Sequence, residues 1–271
     1  MLIPRLRLLA ILIGFCPVLI HAQATACGDA FTGPSMDSSW TFLDADGEPG
    51  GSAMVSAGKL ELAGKGSDAF KDVNEFVGVR RAGLAGDFDV SVKIESQTNT
   101  NGWAQAGILA ANDATRPSQG GYVIVDVTPG NGYHAFYDAS GSVGTLDTHA
   151  DAGVSAYPVW IRLARTGAKF SAWYKNQATA AWSPIALGFQ AQGTGAVSEI
   201  ALVSLSHNDS LEAKTVFDDF TCRGTVTGVI PWDRGRGMSG PPEGPSSFAP
   251  FVLDALGRLQ SRASLIPRIR F

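Results

Sequence analysis

The 271-residue chain is poor in cysteine and histidine, with three and four respectively, and only 17% of it is Asp, Glu, Lys or Arg. A zinc cluster needs four nitrogen or sulfur ligands at short spacing, and neither a CxxC nor an HExxH pair occurs. The Gly-x-Ser-x-Gly elbow of a serine hydrolase is also missing. With 32 Gly and 14 Pro the chain stays below the content of a low-complexity disordered polymer. Its apolar fraction of 45% is enough to build a core.

The first 26 residues read as an export signal. Arg5 and Arg7 precede an apolar run, Leu8 to Ile20, that is too short for a membrane span and is broken by Pro17. Small-x-small cleavage choices follow at Ala22-Gln23-Ala24 and Ala24-Thr25-Ala26, so the expected location is secreted, periplasmic or extracellular. Cys16 would leave with the signal, and Cys27 and Cys222 remain. In an oxidising compartment they can pair. The bridge would close a loop of nearly two hundred residues, worth about 4–5 kcal/mol in the loop-entropy account. Lipidation of Cys27 is the alternative, although Ala24 stands where a lipid-attachment signal normally has a Leu-like residue.

Charge divides the chain near residue 224. Residues 27–224 carry 13 Lys and Arg against 22 Asp and Glu, net −9, and residues 225–271 carry six Arg against three acids. An acidic body argues against nucleic acid, whose recognition needs cations to displace phosphate counterions. Breakers from Pro231 to Pro250 mark residues 225–247 as a Pro/Gly-rich linker. Beyond it, Phe248, Phe251, Val252, Ala255, Leu256 and Leu259 fall on one helical face, predicting a short amphipathic helix and basic tail over 248–271. Membrane association is expected only through a lipidated Cys27 or through that helix.

Between them the body alternates with period two. Phe88, Val90, Val92 and Ile94 alternate with Asp87, Asp89, Ser91, Lys93 and Glu95, the pattern of a strand with one buried and one wet face. Lys59–Ala63, Trp103–Ala111, Tyr122–Thr128, Tyr133–Asp138, Val159–Arg165, Lys169–Lys175, Glu199–Ser206 and Thr215–Thr221 read similarly, separated by turns such as Pro129-Gly130-Asn131-Gly132. No helix capable of a parallel crossover interrupts them. The fold class is therefore all-β, a two-sheet antiparallel jelly-roll sandwich over residues 27–224.

Several of these segments, in their order, resemble the concanavalin A-like lectin/glucanase superfamily, and within it the laminin-G-like and β-xylosidase-C-terminal-like branch. They are Gly86-Asp87-Phe88-Asp89-Val90-Ser91-Val92-Lys93-Ile94-Glu95, Ala106-Gly107-Ile108-Leu109 with Asn112-Asp113, and Trp160-Ile161-Arg162-Leu163-Ala164-Arg165. Lys169-Phe170-Ser171-Ala172-Trp173-Tyr174 with Trp182, Ser206-His207-Asn208 and Val216-Phe217-Asp218-Asp219-Phe220 complete the set, from Cys27 to Cys222. The resemblance implies a jelly roll whose first and last strands are neighbours, as a Cys27–Cys222 bridge also requires. Its members include sugar-binding modules, adhesive domains and some glycosidases. The resemblance also implies a structural calcium near the terminal strands, with Asp29, Asp218 and Asp219 as ligands. The turn Asp44-Ala45-Asp46-Gly47-Glu48 lacks the closing ligands of an EF-hand and reads as a solvated acidic turn.

Glycoside hydrolysis needs two flanking carboxylates, and the Glu-x-Asp-x-x-Glu-like cluster of the superfamily's hydrolases is absent. Asp87 and Asp89 share a strand face, but Asp87 opens its strand after Gly86, where an acid is usually just solvated. His134 and His207 lack an identifiable nucleophile partner; beside Asn208, His207 reads more simply as a loop or sheet-edge hydrogen-bonding residue. Sugar rings offer apolar C–H faces and polar edges, so a lectin-like site pairs aromatic platforms with amide, carboxylate or imidazole groups. Trp103 and Gln105 on one strand face, and Tyr133, His134, Tyr137 and Asp138 after a Gly-rich turn, are the ligand-binding candidates. The expected function is a secreted, non-catalytic lectin-like protein whose partner is a glycan or polysaccharide. A glycosidase-related enzyme and a structural or adhesive protein are the alternatives.

Overall fold

The structure is a computed structural model and describes residues 27–45, 50–69, 73–117, 120–141, 148–226 and two short strands of the tail. The expected export signal, residues 46–48 of the acidic turn and the linker after residue 226 lie outside the described residues. The chain separates into two units, 1–229 and 230–271.

In the first unit thirteen strands form one continuous, hydrogen-bonded, antiparallel arrangement that doubles back on itself. They are β1 (Thr41–Asp44), β2 (Ser52–Ser56), β3 (Lys59–Gly64), β4 (Val77–Gln97), β5 (Gln105–Ala111), β6 (Tyr122–Thr128) and β7 (Gly132–Tyr137). Then come β8 (Thr148–Ala152), β9 (Val159–Thr166), β10 (Lys169–Lys175), β11 (Ser183–Phe189), β12 (Val197–Leu205) and β13 (Ala213–Val226). The 21-residue β4 belongs to both layers. Its first half pairs with β1 and β12, and its second half with β9 and β13. One layer therefore runs β2-β3-β13-β4-β9-β10-β11 and the other β1-β4-β12-β5-β6-β7-β8. The strand turns the corner at Gly83 and Gly86, whose φ values of 88° and 65° suit a residue without Cβ.

The alternation read from the sequence is what fills the space between the layers. Val90, Val92, Ile94, Ile161, Leu163 and Phe170 of one layer meet Val79, Ile108, Val123, Val125 and Leu202 of the other. A second apolar cluster, with Leu109, Tyr122, Ile124, Phe136 and Val203, lies on the outer face of the β5–β8 layer, under Ala69 and Phe76 of the segment that follows β3. That layer is thus covered on both faces.

Cys27 and Cys222 form a disulfide, with Cα atoms 4.8 Å apart across a sequence separation of 195. The backbone of Asp29 pairs with that of Phe220 beside it, so the first and last segments are neighbours. With its sulfur in the bridge, Cys27 is not available for lipid attachment.

On the outer face of the other layer, indoles and cations alternate. Arg162 lies 4.7 Å from the Trp173 ring and 5.8 Å from the Trp182 ring, Lys175 lies 4.9 Å from Trp182 and 5.4 Å from Trp160, and Lys93 lies 5.5 Å from Trp160. Arg162 also donates twice to Asp89, Nε at 2.8 Å. The Arg162→Ala variant is expected to lose about 1–2 kcal/mol of stability in urea unfolding, because it removes a forked ion pair and the filling between two indoles. An unchanged midpoint would show that the row is only surface decoration.

In the second unit the described residues form a strand pair, β14 (Val252–Leu253) antiparallel to β15 (Leu259–Gln260), and the rest of the helix and basic tail expected over 248–271 lies outside the described residues.

Candidate functional site

The outer face of the β5–β8 layer carries polar side chains in register. Gly107 of β5 pairs with Asp126 of β6, Asp126 with His134 of β7, and His134 with Asp151 of β8. One step along, Phe136 pairs with His149. Gly107 leaves room for the carboxylate, since a Cβ there would stand 2.9 Å from that of Asp126. Beside this row is a cavity of about 260 Å³ lined by Asp68, Trp103, Gln105, Phe136, His149 and His207.

Local structure places each group. Trp103 projects from a tight turn in which its N–H donates to Asn101 Oδ1 at 2.9 Å and Ala104 N–H to the Asn101 carbonyl at 3.0 Å. Trp103 is 45% exposed, and its ring stands 5.4 Å from the His134 ring. The rings of Phe136 and His149 continue the row at 5.4 and 5.8 Å. Asp68, after β3, accepts from Ala69 N–H at 2.8 Å and from Gln105 Nε2 at 3.1 Å. Gln105 is 2% exposed, and its Oε1 has no hydrogen-bond partner among the described residues. His207 follows β12 with a φ of 49°.

Two buried groups set the electrostatics. His134, 1% exposed, has Nδ1 2.9 Å from Asp126 Oδ1. Burial opposes charge on the imidazole, but the hydrogen bond and charge of Asp126, helped by Asp151 and the Asn131 backbone, outweigh it and raise its pKa above the usual value. Burial raises Asp126 more than His134 lowers it. At the cavity, burial also raises Asp68, with the Ala69 N–H, His207 and Gln105 pulling against it and Glu75 adding to it. Asp151 lies 3.6 Å from His149 Nε2 and 3.9 Å from His134 Nε2.

Of the six ligand-binding candidates, the structure brings together Trp103, Gln105 and His134, with His134 forming the layer under Trp103. Tyr133 and Tyr137 point the other way, between the layers, because side chains one apart on a strand take opposite faces. Tyr133 stacks on Tyr174 at 4.1 Å and Tyr137 on Phe189 at 4.2 Å. Asp138, buried at the far end of β7, accepts from Ser140 and Gly141 N–H at 3.0 and 2.6 Å and shapes that turn. Sequence reasoning missed Asp68, Phe136 and His149 as cavity groups. Phe136 was within reach, two residues after His134 on the same face, whereas Asp68 reaches the cavity only through the tertiary fold.

The calcium expected at the terminal strands does not fit the groups found there. Asp29 accepts from Trp40 Nε1 at 2.9 Å and from Phe31 N–H at 2.8 Å, with Arg81 at 3.9 Å. Asp218 has Lys59 and Lys93 each at 3.9 Å. A calcium wants six to eight oxygens, and the Asp29 and Asp218 carboxylates have cations beside them instead; Asp219 gives its backbone N–H to Asp218, and its charge acts on Lys59. The acids considered for catalysis are likewise engaged, Asp87 by Gly167 N–H at 2.7 Å and Asp89 by Arg162.

No protein-family model matches the chain, and no curated protein matches it. Solved structures do. The GH43 protein BlXynB from Bacillus licheniformis is similar over 73% of this chain and 39% of its own, with a TM-score of 0.55 and 17% identity. A functionally unknown protein from Saccharomyces cerevisiae is similar over 70% of this chain and 98% of its own, with a TM-score of 0.52 and 16% identity. Xylan beta-1,4-xylosidase from Bacillus halodurans C-125 is similar over 72% and 38%, with a TM-score of 0.50 and 14% identity. The chain thus spans well under half the length of the two Bacillus proteins. What it shares with all three is the fold, an all-β sandwich.

Proposed function

We propose that this chain is an exported, non-catalytic carbohydrate-binding protein of the laminin-G-like and β-xylosidase-C-terminal-like branch, acting at a cell surface or in extracellular matrix. The observation that carries the reading is Trp103. Trp103, nearly half exposed, stands at a cavity otherwise lined by the Phe136 ring, an amide, a carboxylate and two imidazoles, the pairing of apolar platform and polar edge that a sugar ring requires. The cavity volume of about 260 Å³ suits one or two sugar units at the end of a chain, at the small end of ligand pockets. The Cys27–Cys222 disulfide supports export to an oxidising compartment. A hydrolytic role is not favoured, because Asp87 and Asp89 serve a turn and an ion pair.

The test is a glycan array on the full-length chain, followed by calorimetry on the best hit. Saturable binding is expected, with the Trp103→Ala variant weaker by tenfold or more and its melting temperature unchanged, since half of the indole already lies in water. Absence of binding by folded protein, together with self-association, would replace this reading with an adhesive or structural one.

A further inference from the structure

Resting on that reading, the geometry points to a sugar unit that carries a protonated amine. The lining supplies hydrogen-bond acceptors and no fixed cation. Asp68 is a carboxylate whose Oδ1 is held by Gln105 and Ala69, and no ammonium or guanidinium contacts it among the described residues. Gln105 is nine-tenths and more buried, lines the cavity, and its Oε1 acceptor has no partner among the described residues. Glu75 stands close enough to Asp68 to push its pKa upward, and Asp151 lies beside His149 of the same lining. Lysine and arginine are absent from the described lining residues.

An ammonium matches this set better than a hydroxyl does. It has three donors and no acceptor, the complement of a lining that carries the Asp68 carboxylate and the unpartnered amide oxygen of Gln105. Its charge offsets what burial takes from Asp68, whose ionised form is otherwise disfavoured. The Trp103 indole in the same cavity adds attraction for a cation near its face. A uronic acid meets the opposite situation, a carboxylate brought among carboxylates. His207 lies close enough to favour the charged form of Asp68, so its imidazolium would compete with the amine.

The experiment is calorimetry of the full-length chain at about pH 6, where an amine of ordinary pKa near 8 is protonated, with three disaccharides. They are one of β-linked glucosamine, its N-acetylated counterpart and one containing a uronic acid. The glucosamine disaccharide is expected to bind at least tenfold more tightly than the acetylated one, and the uronic acid weakest. The preference is expected to shrink as salt rises from about 0.05 to 0.5 M, as for a partly exposed charge contact. Asp68→Asn, which keeps the shape and removes the charge, is expected to bring the amine-to-acetyl ratio to within about twofold.

Equal or tighter binding of the acetylated sugar, or a ratio untouched by Asp68→Asn in folded protein, overturns the amine while leaving the glycan reading standing. Should Asp68→Asn fail to fold, the salt series on the wild-type chain decides, and a preference indifferent to salt overturns the inference. Failure of all three sugars and of every array glycan removes both readings.

Discussion

Replacing Cys27 and Cys222 together by serine is expected to lower the unfolding free energy by about 4 kcal/mol in guanidinium titration. The bridge spans 195 residues, and a loop of that length loses more denatured-state entropy on closure than any short one. The native contacts around it remain in the variant. Trp40 still stacks edge-on with Phe220 at 5.1 Å, and Asp29 still pairs with the Phe220 backbone. The loss should therefore appear mainly as a shifted midpoint and a steeper denaturant dependence, the mark of a more expanded unfolded chain. A loss below about 1 kcal/mol would mean that these contacts already hold the ends together in the reduced chain.

The second large effect is expected at the Asp126 and His134 pair. Both side chains are essentially inaccessible to solvent, so removing one partner leaves the other in an apolar setting. Asp126→Ala is expected to cost about 3 kcal/mol, and the double variant Asp126→Ala, His134→Leu clearly less than the two single losses added. The pair also predicts a pH dependence. His134 is raised above 6.5, so the folded chain binds its proton more tightly than the unfolded chain does. The stability this contributes is fully present below pH 6.5 and is lost as pH rises through the raised folded value. Asp126 is raised above 3.8 and acts in the same direction at lower pH. Unfolding free energy measured from pH 5 to pH 9 should therefore fall toward the alkaline side, and the double variant should lose this slope. A slope that survives in the double variant would assign the proton uptake to other groups.

The layers of the sandwich were legible because their strands have one apolar face each: Phe88 to Ile94 and Val159 to Arg165 announce themselves by alternation. Four strands, β1, β2, β8 and β11, did not. β2 is a short Ser-Ala-Met-Val-Ser edge, β8 is polar, and β11 carries Pro184 and Gly188, residues that argue against a strand when read alone. The first half of β4 was hidden by Gly83 and Gly86, which look like a turn and are instead the corner of a strand that continues. The candidate site was legible only along a strand. Trp103 with Gln105, and His134, could be named from local pattern, but the opposite orientations of Tyr133 and His134 follow from register. Asp68, His149 and His207 join them from parts of the chain far apart in sequence, and no spacing rule reaches that distance.

The placement of the disulfide also decides what one proteolytic cut can do. A single break in any loop between Cys27 and Cys222 leaves two pieces that stay covalently joined, because the bridge ties the two ends of that stretch together with their Cα atoms 4.8 Å apart. The strands on either side of the cut, the cavity among them, remain parts of one molecule until the bridge is reduced.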